Sequence, residues 1–177
     1  MSSNEQEVGC LTQLLLQNFS EKILEHHQHR GDETVTIDKS AIVDVCRFLR
    51  DDPKAQFDMM VDLTAVDFLA QGKEPRFEVV YHLKSMELGH RIRIKAPVSE
   101  SDCEIDSVHS LWKAVDWYER ECYDMYGIVF KGHPNLKRLL MYDEFVGHPL
   151  RKDYPVDKQQ PLVDLYEVEE RYSYERS

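Results

Sequence analysis

The chain has 177 residues, 42% of them hydrophobic and 31% charged, which is the composition of a globular protein with one domain and a tail. Its 33 acidic residues outnumber 22 basic ones, and the resulting net charge of −11 argues against binding to nucleic acids or anionic lipids. The longest apolar runs are too short to span a bilayer, and residues 1–7 lack the build of a signal peptide. We therefore expect a cytoplasmic protein unless a partner docks it to a membrane.

The N-terminal part of the chain predicts a helix, a hairpin and a second helix. Apolar residues recur at helical spacing over residues 5–17. Residues 21–30, with three histidines, fit either a continued helix or a strand, and we favour a strand paired with residues 34–37 because a Gly-Asp turn separates them. Asp38 can cap the next helix. The predicted buried face of that helix consists of Ile42, Val45, Cys46 and Leu49.

Three alternating runs follow, over residues 59–65, 77–84 and 91–95. Period-two alternation is typical of antiparallel strands with one buried face, and residues 85–89 between the second and third runs fit a hairpin. In the first run, the inward residues are expected to be Met59, Val61, Leu63 and Ala65.

A third helix is predicted over residues 107–126 and ends at Gly127. Its expected apolar stripe contains Leu111, Val115, Tyr118, Cys122 and Met125. On the opposite face we expect an ion ladder at i, i+4 spacing formed by Asp116, Arg120 and Asp124.

Two glutamates, Glu119 and Glu121, flank the apolar stripe of the third helix and lie near tryptophans. An unpaired carboxylate there would be costly to bury. We therefore expect at least one of them to be partly buried and paired with a basic residue of the following segment. The candidate basic residues are Lys137, Arg138 and Arg151.

Beyond Gly127 the sequence predicts extended chain that lies over a surface. Residues 127–161 hold four of the seven prolines and three of the seven glycines and show no long periodic segment. The expected fold is therefore α/β of the α+β type, a single domain with a mainly antiparallel sheet and about three helices, followed by a C-terminal arm. We place the compact domain at residues 1–126 and the docking segment and tail at residues 127–177.

The candidates for chemistry within the chain are few. His133 and His148 occupy equivalent places in two Gly-His-Pro tripeptides, but a turn explains them better than a metal site, since no further ligands are marked. Asp62 and Asp67, five residues apart on or beside a strand, are expected to point to opposite faces. No nucleophile elbow or phosphate-binding glycine loop is present. The scattered cysteines, without a Cys-x-x-Cys pair, predict no cofactor held by this chain alone.

Residues 120–155 differ from the rest of the chain in charge. They carry six basic and five acidic residues in a strongly acidic protein, together with aromatic residues and several prolines. Arginine and aromatic side chains are enriched at protein interfaces. We therefore favour a protein–protein interface over a solvated charge run for this stretch.

One continuous string carries a family resemblance. Its marked residues are Glu119, Arg120, Glu121, Asp124, Gly127, Gly132, His133, Pro134, Arg138, Gly147, His148, Pro149, Leu150, Arg151, Lys152, Asp153, Tyr154 and Pro155. This string resembles the signature of the 30 kDa-type (C-type) subunit of the respiratory NADH:quinone oxidoreductase, complex I, in its free-standing bacterial form. The similarity makes these residues candidates for partner binding.

The resemblance implies a compact α/β domain without a cofactor, whose C-terminal segment runs across the large quinone-site (49 kDa-type) subunit. It also implies a place near the subunit that holds the terminal iron–sulfur cluster. The assembled complex would pass electrons from NADH through FMN and iron–sulfur clusters to quinone and couple this to proton translocation. The chain would then be a structural, non-catalytic subunit, peripheral on the cytoplasmic side of the inner membrane.

Two other hypotheses remain open. The second is the equivalent subunit of a related membrane-bound hydrogenase or of a quinone-reducing complex with another electron donor, since the resemblance implies a module that those complexes share. An independent enzyme that uses His133 and His148 is the third possibility.

Overall fold

The computed structural model describes residues 9–161 and shows a five-stranded sheet with helices packed on one face, which confirms the predicted fold class. The helices are α1 (Cys10–Phe19), α2 (Ile42–Asp51) and α3 (Val115–Tyr126). The strands of the sheet are β1 (Ile23–His29), β2 (Asp32–Ile37), β3 (Met59–Asp67), β4 (Phe77–Lys84) and β5 (Arg91–Val98), and a separate pair is formed by β6 (Glu104–Asp106) and β7 (Val129–Lys131). The first residues of the predicted opening helix, 5–8, lie outside the described range. No helix within that range is long and apolar enough to cross a membrane.

The strand order of the sheet is β1-β2-β5-β4-β3. β1 and β2 form an antiparallel hairpin, so the strand interpretation of residues 21–30 is confirmed. β3, β4 and β5 pair antiparallel, as their alternation predicted. β2 pairs with β5 in parallel, which makes the sheet mixed. A parallel pair needs a long crossover, and the chain between β2 and β5 supplies one through α2, β3 and β4.

The core lies between the sheet and the helices. The four predicted inward residues of α2 are fully buried, and they meet inward strand residues in one apolar cluster. Burying such side chains contributes about 1.5–3 kcal/mol each to the free energy of folding. The inward residues are Ile42, Val45, Cys46 and Leu49 on α2, opposite Val35, Tyr81 and Ile94 on the strands.

The predicted inward face of β3 is wrong at its start. Met59 and Val61 are exposed, while Met60 is buried. The register against β4 shifts between Met60 and Asp62, which is a β-bulge. A bulge adds one residue to a strand and reverses the direction of the side chains on one side of it. The alternation is therefore correct only after the bulge, where Leu63 and Ala65 are buried.

Helix α3 begins at Val115, eight residues later than predicted. The preceding residues form turns instead, because the Glu119 carboxylate accepts hydrogen bonds from the Ser107 hydroxyl and the Val108 N–H at 2.6 and 2.8 Å. These bonds stabilise a non-helical conformation ahead of the helix. Gly127 ends the helix with a φ of 78°, as expected for a left-handed C-terminal residue.

The pair β6–β7 was not predicted. β7 comes from the stretch after Gly127, and its Phe130 pairs in parallel with Ile105 of β6. Both side chains are buried in the core. Strands of three residues show too little alternation to be recognised in a sequence.

Candidate functional site: the C-terminal segment against helix α3

Residues 132–161, which we call the C-terminal segment, fold back over the end of α3. The final carbonyl groups of a helix have no partner within the helix. Here His148 Nδ1 lies 2.9 Å from the Asp124 carbonyl oxygen, and the Leu150 N–H donates to the Met125 carbonyl at 3.1 Å. Arg151 Nε donates to the carbonyl of Tyr126, the last helical residue, at 2.6 Å. The segment therefore caps the helix with three separate donors.

The side chain of Asp124 is the centre of this arrangement and is fully buried. Its Oδ2 accepts hydrogen bonds from the backbone N–H groups of Leu139, Leu140 and Met141 at 2.7–3.0 Å. Its Oδ1 accepts from Arg138 Nη1 at 2.7 Å. Burial raises the pKa of Asp124, but these hydrogen bonds outweigh burial and hold the pKa below 3.8. The ionised carboxylate thus fixes a turn of the C-terminal segment.

Arg138 extends the anchor to the far side of the loop. Its Nη2 donates to the carbonyl oxygens of Phe145 and Gly147, each at 3.0 Å. A guanidinium group offers five donors in a fixed plane, so one side chain can bind a carboxylate and two carbonyl groups together. Residues 138–147 therefore form a loop closed by a single arginine.

The predicted ion ladder on α3 is wrong. Asp124 binds Arg138, and Arg120 donates instead to the carbonyl oxygens of Lys137 and Arg138 at 3.2 and 3.1 Å. Asp116 Oδ1 lies 3.0 Å from His133 Nε2. The C-terminal segment covers this face, so side chains expected to pair in water turn to the segment.

A second anchor joins the segment to the strand ends. Arg76, only 3% exposed, donates to both carboxylate oxygens of Asp67 and of Asp153 at 2.8–3.1 Å and to Glu100 at 2.6 Å. Asp67 Oδ2 also accepts from the Lys152 N–H at 2.8 Å. Burial raises the pKa of Asp67, but the bonds from Arg76 and Lys152 overcome it and bring the pKa to about 2. Arg76 was not predicted as a site residue, because no motif surrounds it in the sequence.

Glu119 is fully buried, as predicted for one of the two glutamates, whereas Glu121 is exposed. The predicted partners of Glu119 are wrong: the Ser107 and Val108 donors bind it, and His133 Nε2 lies 3.9 Å from its Oε2. Burial raises the pKa of Glu119 to about 7. The carboxyl group of Glu119 therefore changes charge near neutral pH.

The two Gly-His-Pro histidines lie in separate places. The His133 side chain is buried against Asp116, and its Nδ1 accepts from the Asn135 N–H at 3.1 Å. His148 faces the end of α3, and burial lowers its pKa, so its Nδ1–H donates while the ring is neutral. Across residues 9–161, no three His, Cys, Asp or Glu side chains are grouped so that they could hold a metal ion. His133 and His148 thus contact different turns of α3 and do not form one site.

Glycine is required where the segment meets α3. A Cβ at Gly127 would lie 2.6 Å from His148 Nε2, and the residue has a positive φ. Gly147 has a φ of 103°, and a Cβ there would lie 3.1 Å from the Tyr154 ring. The Tyr154 ring also stacks on Phe145. Most other members of the predicted motif are exposed, including Asp153 although it binds Arg76, and Pro149 is half-buried: the exposed members are Glu121, Gly132, Pro134, Leu150, Lys152, Asp153 and Pro155.

The C-terminal segment exposes several large apolar side chains. Leu140 and Val146 both lie in the loop that Arg138 closes, and they are 58% and 53% exposed. Ile128 and Phe130, at the start of the predicted docking segment, lie in the core. The exposed large apolar residues of the segment are Leu140, Tyr142, Val146, Leu150 and Val156. Exposed large apolar side chains on a fixed loop are typical of a protein interface.

Comparison with known proteins identifies the family. The profile of the family described as "Respiratory-chain NADH dehydrogenase, 30 Kd subunit" matches residues 35–160. The C-type subunit of NADH-quinone oxidoreductase from Citrifermentans bemidjiense is 54% identical over 80% of this chain and 86% of its own length. The protein of the same name from Geobacter sulfurreducens is 47% identical over the same shares.

Two solved structures share the fold. A trypsin-resistant fragment of Nqo5 superposes with a TM-score of 0.63 and 27% identity, over 71% of this chain and 98% of the fragment. A chain of the membrane-bound sulfane sulfur reductase, an archaeal respiratory membrane complex, superposes with a TM-score of 0.67 and 23% identity, over 93% of this chain and 90% of that one. From the profile match and the identity to its relatives, the chain belongs to the family of the 30 kDa subunit of respiratory-chain NADH dehydrogenase.

Proposed function

We propose that the chain is a subunit of NADH-quinone oxidoreductase that holds other subunits in position and carries out no chemistry itself. Relatives that are named as subunits of that complex align with 80% of this chain. The observation that carries the structural role is the exposed apolar surface at Leu140 and Val146, presented on a loop that Asp124 and Arg138 fix. A rigid apolar loop loses little conformational entropy on binding, which favours tight docking.

In this proposal the redox groups belong to other subunits. The complex passes electrons from NADH through FMN and iron–sulfur clusters to quinone and translocates protons. Of the predicted docking segment, residues 127–177, the part that docks begins after β7, and the structure describes it up to residue 161. The partners are the large quinone-site (49 kDa-type) subunit and the subunit that carries the terminal iron–sulfur cluster, and the chain lies peripherally on the cytoplasmic side of the inner membrane.

Replacing apolar residues of the loop tests the docking role. Leu140→Asp combined with Val146→Asp should leave the fold intact, because both side chains are exposed, and should abolish co-purification with the large quinone-site subunit. Leu24→Asp is the matched control, since Leu24 is 60% exposed on β1, away from the C-terminal segment. Unchanged assembly of the double variant, or equal loss in the control, would contradict the proposal.

The electron donor is tested separately with membranes that lack the chain. NADH-driven quinone reduction should be lost, and the wild-type chain supplied from a plasmid should restore it. Normal NADH-driven reduction together with loss of hydrogen-driven reduction would favour the related hydrogenase complex.

A further inference from the structure

The sheet face opposite the helices carries a groove of about 620 Å³, which we call the sheet groove. Side chains alternate between the two faces of a strand. In β4 and β5, Leu83 and Ile92 point to the core, so their neighbours in the strands point into the groove. The residues that define the sheet groove for this argument are Met59, Val61, Asp62, Lys84, Arg91 and Arg93.

The strand register places three cations side by side in the sheet groove. Lys84 pairs with Arg91, and Arg93 lies two residues further along β5 on the same face. Among the ion pairs of residues 9–161, none includes these three side chains, and Arg93 donates to the Thr34 hydroxyl at 3.2 Å. The whole chain carries a net charge of −11. These three adjacent cations favour an acidic group of a ligand at their part of the groove.

One wall of the sheet groove is apolar. Met59 and Val61 are 44% and 42% exposed, and Met86 is also exposed. Val61 reaches the groove because of the bulge between Met60 and Asp62, and bulges commonly redirect a side chain. Methionine and arginine are both enriched at protein interfaces. The groove thus combines an apolar wall with cations that form no ion pair within residues 9–161.

Two carboxylates limit which anion fits. Of the three acidic residues that line the groove, Glu33 binds Thr12 of α1, so Asp32 and Asp62 are the carboxylates left beside the cations. A nucleic-acid backbone has a charge at every phosphate and would meet both carboxylates unfavourably. A peptide can place its acidic side chains opposite the cations and neutral groups opposite the aspartates. The charge pattern therefore fits a protein segment better than a polyanion.

We propose that the sheet groove binds an extended, acidic segment of a partner subunit that inserts an apolar side chain against Met59 and Val61. This surface lies on the opposite side of the sheet from α3 and the C-terminal segment. Both surfaces can be occupied together, so the chain can bridge two neighbours. The bridging role goes beyond the docking proposed for the C-terminal segment.

Photo-crosslinking in the assembled complex tests the proposal. With p-benzoylphenylalanine in place of Val61, crosslinks should map by mass spectrometry to an Asp- or Glu-rich segment of another subunit. Lys84→Glu combined with Arg91→Glu should lower the crosslink yield about tenfold, because the interaction depends on charge. The control Lys54→Glu, which reverses an exposed cation in the turn after α2, should leave the yield unchanged. Thermal unfolding of each variant checks that the fold is retained.

A second photoreactive position, in place of Val146, reports docking of the C-terminal segment independently. Crosslinks from position 146 but none from position 61 would overturn the groove proposal and leave the proposed function standing. Crosslinks from position 61 to a second copy of this chain or to a segment without acidic residues would also overturn it, as would a yield insensitive to charge reversal. Absence of crosslinks from both positions would contradict the groove and the proposed function together.

Discussion

The α2 side of the molecule and the C-terminal segment are both ordered, but different interactions hold them. Leu49 and its neighbours on α2 are buried among apolar side chains. The C-terminal segment has little regular structure, and buried charges hold it: Asp124 binds three N–H groups, while Arg138 and Arg76 reach across the segment. Because charged side chains supply the anchors, the segment can leave its apolar residues facing outward for a partner. The predictions below separate the two kinds of anchoring.

The largest effect is expected from Asp124→Ala. The change leaves the half-buried Arg138 guanidinium without its carboxylate and removes the acceptor of three N–H groups, which should cost about 3–5 kcal/mol of the free energy that holds the C-terminal segment on the domain. The loss should be local, so trypsin should cleave after Lys137 or Arg138 before the core unfolds. Resistance to trypsin equal to that of the wild type would contradict the anchoring role of Asp124.

Leu49→Ala should cost about 3 kcal/mol, because it opens a cavity in the fully buried interface of α2. Unlike the loss at Asp124, this one should be global. Far-UV circular dichroism and trypsin cleavage at Lys137 should then report the same lowered melting temperature. Separate melting transitions for the core and the C-terminal segment would contradict this prediction.

Glu119→Gln should change how stability depends on pH. The pKa of Glu119 is about 7 in the folded chain, against 4.5 for an unburied glutamate. Between these pH values the folded state binds more protons than the unfolded state. The free energy of unfolding therefore falls as the pH rises from 4.5 to 7. Glutamine has no charge to bury, and above pH 7 the variant should be about 1–2 kcal/mol more stable than the wild type. Urea unfolding at pH 5 and pH 8 measures this. If the free energy of unfolding depends on pH in the same way in the variant, a group other than Glu119 causes that dependence.

The smallest effect is expected from Asp44→Ala. This residue forms an exposed pair with Arg47 at 3.0 Å, and such pairs contribute about 0–1 kcal/mol. The variant serves as the matched control for Asp124→Ala, because both changes remove an aspartate bound to an arginine. A loss as large as that of Asp124→Ala would show that burial is not what distinguishes the two pairs.

The sequence predicted the elements whose pattern is local. Helical spacing identified the buried face of α2, and Gly127 marked the end of α3. The bulge at Met60 was not predicted, because a strand with one inserted residue still shows alternating apolar and polar residues. Arg76 and Asp153 were not connected because they lie 77 residues apart and only the fold brings them together.

The motif of the C-terminal segment was found, but the roles of its residues were not. Asp124 has the spacing of a solvent-exposed ladder on α3, and nothing local indicates that a later segment covers that face. Glu119 was expected to bind a cation and instead binds the turn before its own helix. Both misses concern polar groups, whose partners depend on tertiary contacts rather than on periodicity.

Hydrogen exchange of the isolated chain tests most directly whether buried charge fixes the docking segment before any partner binds. The amides of Leu139, Leu140 and Met141 each donate to Asp124, so they should exchange at least about a hundredfold more slowly than unprotected amides. The protection should disappear in Asp124→Ala, while the amides of β4 stay protected. Unprotected rates at these three amides in the isolated chain, with protection only in the assembled complex, would show that the partner orders the segment and would contradict the account.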